Sequence, residues 1–207
     1  MVTAVAQGRR IYANVRRFLL YGLSGGGAEV LVMLLGPFLG LPLPLLPAQI
    51  LWINLMTHGL VGVALGAEPV EAGAMARPPR PAAESVLGDG LWKRALRLGV
   101  LLTVLTLVAA VWTARAGGPA QTMAFLTLGA VQLGVALALR ARDGGTDRFL
   151  LGAVVVAGLL QLAATYVGSL AELLGNHAVR AQDLLVVLVL AALAFVGVRL
   201  ERRIHPR

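Results

Sequence analysis

The chain has 207 residues, of which 58% are hydrophobic and 14% charged, with a mean hydropathy of +0.81 and a formal charge of +8. This balance excludes an ordinary soluble globular domain, and the absence of cysteine excludes both a disulfide framework and a thiolate metal site. What remains is an all-α polytopic membrane protein, with the lipid bilayer as its first partner.

Six apolar runs are predicted to span, at 18–36, 47–66, 95–114, 120–140, 148–168 and 182–199, each near the ~20 residues a bilayer requires. They are long and lack two-residue alternation, so they read as helices and not barrel strands. Sixteen of the eighteen Lys and Arg residues fall on one side of the resulting topology and two on the other. The positive-inside rule then places both termini in the cytoplasm. The same distribution argues against nucleic acid as a partner, because the basic residues follow the span boundaries and do not gather into one patch.

The segment 1–17 reads as a cytoplasmic stalk helix continuous with the first span, with Val5, Ile11, Val15, Phe18 and Leu19 on one face. Its basic flank is long and no small-residue cleavage site closes the apolar run, so it is not expected to be a cleaved signal. Residues 18–66 form a first helix pair joined by GPFLGLPLPLLP, a short uncharged turn on the far side. Of ten acidic residues only Glu29 lies inside a span, beside Gly25, Gly26 and Gly27. An intramembrane carboxylate points to an ion or proton site. The second run carries Asn54, Thr57 and His58 on one broad helical face, followed by Gly59 and Gly62, which would permit local unwinding toward a ligand.

Asn54 and Thr57 read equally well as interhelical glue. The expectation is that Glu29, Asn54, Thr57 and His58 converge between the first two spans. Protonated, His58 would compensate Glu29 and relay a proton or lock the site; neutral, it would ligate a transition metal with Glu29. Residues 67–94 form a cytoplasmic connector broken by Pro69, Pro78, Pro79 and Pro81. Residues 95–200 complete a four-helix membrane bundle that buries Gln132 and Gln161, and 201–207 form a basic cytoplasmic tail. Gln161 reads as glue, Trp52, Trp92 and Trp112 as interfacial anchors, and His177 and His205 as solvated.

Several stretches together resemble the C-terminal membrane region of P-type cation-transporting ATPases of the calcium-pump-like, bacterial type. They are AVAQGRRIYANVRRFLLYGLSGGGAEV, LPLLPAQILWINLMTHGLVGVALGAEP, MARPPR and the run from LLQLAATYVG through AQDLLVVL. The resemblance implies that Glu29, Asn54 and Thr57 occupy cation-coordinating positions, with Gln132 a looser match. Three positions depart from the family pattern: Gly26 stands for an Asn, His58 for an Asp and Val61 for a Pro. Calcium prefers six to eight oxygen ligands, so the loss of a carboxylate and an amide argues against a family-like calcium site and leaves the ion unassigned.

The family's phosphorylation motif DKTG, its TGE motif and its nucleotide-binding domain do not occur in these residues, and no phosphate loop or nucleophile–base pair replaces them. The chain by itself is therefore expected neither to be an enzyme nor to hold a cofactor. Two functions follow. One is the cation-translocation part of a pump, acting with a separately encoded ATP-hydrolysing part in a bacterial plasma (inner) membrane. The other is a stand-alone or truncated membrane module without transport. The start at Met1, just before the stalk, favours the first, and a passive channel ranks third because the single intramembrane charge has partners in reach.

Overall fold

In lipid the backbone must satisfy its own hydrogen bonds. The computed structural model, which describes residues 2–69, 74–76, 85–88, 90–140 and 148–204, does so with helices, and no strand occurs among the described residues. Six of these helices are long and apolar enough to cross a membrane: Thr3–Leu39, Pro47–Gly66, Leu91–Arg115, Ala120–Leu139, Arg148–Tyr166 and Ala181–Arg202. They are named the first to sixth spans below.

The fourth span is the core. Its sequence is apolar around its whole circumference, and 83% of its apolar 18-residue stretch is buried, against 22% of that of the sixth span. The third and sixth spans pack along it most extensively, and the first span packs on the third. The outer faces carry Val155, Val156 and Leu159 on the fifth span and Leu185, Leu188, Val189 and Val196 on the sixth, all exposed. Apolar surface of that extent belongs against lipid.

The first span is the longest element, an unbroken helix over Val2–Leu35. At 1.5 Å per residue it runs about 50 Å, well beyond the ~30 Å of hydrocarbon, so the stalk does continue from the span as expected. The face it packs is the polar one. Val5, Ile11, Val15 and Phe18 are exposed, whereas the polar stripe Arg10, Asn14 and Arg17 closes on the end of the second span. Arg10 donates through Nε to the Glu68 carbonyl and through Nη2 to that of Ala67, both at 2.8 Å. Asn14 donates to the carbonyls of Gly66 at 3.0 Å and Glu68 at 2.8 Å. Arg17 pairs with the fully buried Glu68 carboxylate at 2.7 Å and donates to Asn14 Oδ1. Helix-end carbonyls left without intrahelical partners supply the reason: they need donors, and the stalk brings them.

The far-side turn is a short 3₁₀ segment, Gly36–Leu39, ended by Gly40 in the left-handed region at φ 83°. Pro47 then opens the second span, where a missing N–H costs nothing, and Gln49 accepts the Leu46 N–H. Gln49 also donates to Asn176, which donates to the Ala164 carbonyl, so that turn is tied to the loop before the sixth span. A short helix, Gly168–Leu174, follows the fifth span and was not anticipated.

Two boundaries also move. The third span begins at Leu91 and the last helix runs to Ile204. Glu201 and Arg202 are therefore helical and not free tail: Glu201 pairs with Arg94 and Arg97, and Arg202 donates to the Ala138 and Arg140 carbonyls at the end of the fourth span. Pro78, Pro79 and Pro81 of the connector, and His205, lie outside the described residues.

Candidate functional site

Three spans converge on Glu29. The second span is α-helical over Pro47–Ile53, widens to a π-helix over Asn54–Val61 and returns to α over Gly62–Gly66. The Gly62 N–H bonds the Thr57 carbonyl five residues back. The expected unwinding is thus a widening, in which the helix keeps its bonds while its register shifts by a residue, a feature found frequently at functional sites. Gly62 serves a different end from the one expected: a Cβ there would meet the Phe18 ring at 2.8 Å, so its smallness lets the first span approach.

The π segment carries the polar residues. Asn54 Nδ2 donates to Glu29 Oε2 at 3.0 Å and to the Ile50 carbonyl at 3.1 Å, and Asn54 Oδ1 meets His58 Nδ1 at 2.5 Å. From the fourth span, Gln132 Nε2 donates to Glu29 Oε1 at 3.3 Å. The carboxylate, only 6% exposed, is thus held at both oxygens by amides from two other helices. Three of the expected partners, Glu29, Asn54 and His58, form one connected chain, and Gln132 joins it. Thr57 is buried, but its hydroxyl donates to the Ile53 carbonyl at 2.8 Å and makes no recorded bond to Glu29.

Besides the Tyr21 hydroxyl, two atoms of the cluster are buried without a hydrogen-bond partner: His58 Nε2 and Gln132 Oε1. Both residues lie against Gly25. A Cβ on that glycine would stand 2.7 Å from His58 Nε2 and 3.2 Å from the Gln132 amide. Glycine is therefore needed at position 25, whereas a Cβ at Gly26 or Gly27 would meet nothing within 4 Å. The departure at Gly26 opens space, and the one at His58 fills it. Tyr21, one turn before Gly25 and 1% exposed, presents its ring edge to His58 with centroids 5.8 Å apart.

Sequence reasoning missed Tyr21 and the role particular to Gly25. The signal was the four-residue spacing of Tyr21, Gly25 and Glu29, which places all three on one helical face. Gln161 stands apart from the site and donates to the Phe125 carbonyl at 2.9 Å, tying the fifth span to the fourth. Trp92 and Trp112 are exposed near the two ends of the third span, as interfacial anchors would be, whereas Trp52 packs against the core. His177 is exposed.

In chemical terms the cluster offers one carboxylate, one imidazole and one amide, the last two packed against Gly25. An orphaned buried acceptor is costly unless something occupies it, and two beside a carboxylate suit a positive ligand. No group of three or more His, Cys, Asp and Glu side chains occurs among the described residues.

The family model for the C-terminus of cation-transporting ATPases matches residues 42–204. That range holds Asn54, Thr57, His58 and Gln132, while Glu29 precedes it. The calcium-transporting ATPase of Bacillus subtilis (strain 168) is 35% identical over 201 residues, covering 92% of this chain and 23% of that protein. Calcium-transporting ATPase 1 of Bacillus cereus (strain ATCC 10987 / NRS 248) is 31% identical over 222 residues, covering 95% of this chain and 25% of its own length. The chain therefore spans about a quarter of the length of these relatives.

Proposed function

This chain belongs to the cation-transporting ATPase family, as the C-terminal membrane domain, and on that premise we propose that the cluster around Glu29 is its cation-binding site. The observation that carries the reading is the buried Glu29 carboxylate held between amides of two other spans, with two unpartnered acceptor atoms beside it. A buried carboxylate held by amides and flanked by atoms without partners is a place where a cation would find ligands already in position.

ATP hydrolysis belongs to a part outside these 207 residues, in line with the relatives' fourfold greater length. The basic side of the bundle faces the cytoplasm, the stalk projects toward that ATP-hydrolysing part, and the membrane is the bacterial plasma membrane, as the Bacillus relatives suggest. Residues 1–17 and 67–94 are the cytoplasmic segments and residues 18–66 carry the site.

The test is cation-dependent thermal stability of the detergent-solubilised chain. A cation that binds only the folded protein adds about 2.7 kcal/mol at a hundredfold excess over Kd. Stabilisation by one class of cation that disappears in Glu29→Gln is the expected result. A folded protein indifferent to every cation offered would sink the reading.

A further inference from the structure

We propose that the cation held here is a divalent transition metal that takes His58 Nε2 as a ligand, not an ion served by oxygen alone. The inference rests on the cation-site reading and goes one step beyond it, to the class of ion.

The orientation of Asn54 comes first. One hydrogen of its amide nitrogen points to the Ile50 carbonyl, which can only accept, so the atom at that position is the nitrogen and not the oxygen. The other side of the amide, Oδ1, therefore faces His58 Nδ1. An amide oxygen cannot donate, so Nδ1 carries the ring proton. A neutral imidazole protonated at Nδ1 has its lone pair on Nε2, and Nε2 is the buried, unpartnered atom against Gly25. The carbonyl one turn upstream thus fixes a proton on Nδ1, so that in the neutral ring the free lone pair lies on Nε2.

This is the arrangement of a metal-ligating histidine, in which the non-ligating ring N–H is held by a second residue that fixes tautomer and ring plane. Tyr21, set edge-on to the ring, restrains it further. The oxygen supply points the same way. Asn54 Oδ1 is committed to His58, and the Thr57 hydroxyl is turned along its own helix to Ile53. Glu29 is the one carboxylate of the cluster, and His58 offers nitrogen where calcium, with its six to eight oxygen ligands, would call for another oxygen. Imidazole with a carboxylate suits zinc, nickel or cobalt. Three protein ligands leave coordination positions open, as an ion that must leave again requires.

The experiment uses the whole chain in detergent with His177→Ala and His205→Ala, so that His58 is the only imidazole. Co2+ is titrated in while its visible absorption is recorded, with Zn2+ as competitor and Ca2+ followed by calorimetry. The expected result is a Co2+ spectrum displaced by Zn2+, with affinity at least about tenfold weaker in His58→Ala and about 10- to 100-fold weaker in Asn54→Ala, the range for loss of a residue that orients a ligand. If His58→Ala does not fold, His58→Gln, which keeps an amide donor toward Asn54 but has no ring nitrogen, is read in the same way. Ca2+ binding that depends on Glu29, with Co2+ affinity equal in the parent and His58→Ala, overturns this inference and leaves the cation site standing. A folded chain that binds neither ion overturns both.

Discussion

The first and second spans are joined twice by polar groups, and the two junctions are built on opposite terms. At the basic end, Arg10, Asn14 and Arg17 clasp the last turn of the second span, and no buried side-chain atom of that clasp lacks a partner. In the middle of the bundle, Glu29, Asn54, His58 and Gln132 form a chain of bonds that ends in two bare acceptors. The first junction is saturated, and in the proposed reading the open end of the second is where the cation sits. The clasp holds the two helices in register by satisfying carbonyls that the helix end leaves over, so the mid-span cluster can stay open without the pair drifting apart.

The comparison breaks most readily at the clasp. Arg17→Ala removes the 2.7 Å ion pair from the buried Glu68 carboxylate, a loss of a kind that costs about 3–5 kcal/mol. Thermal unfolding in detergent should show that loss, and Arg17→Ala with Glu68→Gln should recover much of it. Cation affinity of the surviving folded protein is expected to stay within about twofold of the parent, because Arg17 lies about 18 Å along the first helix from Glu29. A tenfold fall would show that the two junctions are one unit.

The converse change is Gly25→Val. Its Cβ would enter the space of His58 Nε2 and the Gln132 amide, and overpacking of this kind costs about 1–3 kcal/mol. Its distinguishing effect is on the ion: the cation-dependent part of stability should vanish while the clasp holds. Placing the same side chain at Gly26, where a Cβ meets nothing within 4 Å, should leave the cation response intact. If both valines act alike, Gly25 has no role particular to the site.

The smallest effect sharpens the contrast from outside it. Gln161 ties the fifth span to the Phe125 carbonyl, and interhelical hydrogen bonds of this kind average about 0.6 kcal/mol. Gln161→Leu should cost about that much in thermal stability and leave cation binding unchanged. A change in ion affinity would extend the site toward the fifth span.

Much of this was legible in one dimension. Glu29 announced itself because a carboxylate inside a twenty-residue apolar run is expensive wherever it points. Asn54 and His58 shared its neighbourhood because residues four apart share a helical face. Gln132 was less visible, since it lies 103 residues from Glu29 in the chain and no local pattern links them. Thr57 was grouped with its neighbours by the same spacing rule, yet its hydroxyl turned to its own backbone, as threonines in helices can. The packing of the stalk was not legible: its apolar stripe is exposed, and the packed face was decided by helix-end carbonyls of another segment that demanded arginine and asparagine donors.

The amino-acid sequence alone determined the number of crossings, their approximate bounds and the side on which the basic residues gather. Those follow from transfer free energies summed over local windows, with no reference to neighbouring helices. Only the tertiary structure decided which polar atoms meet and which are left bare. A helix face is set by its own period, but its partner is set by packing. The bare nitrogen of His58 follows from an amide orientation, a π-helical widening and a glycine on another span that no single stretch of the chain contains.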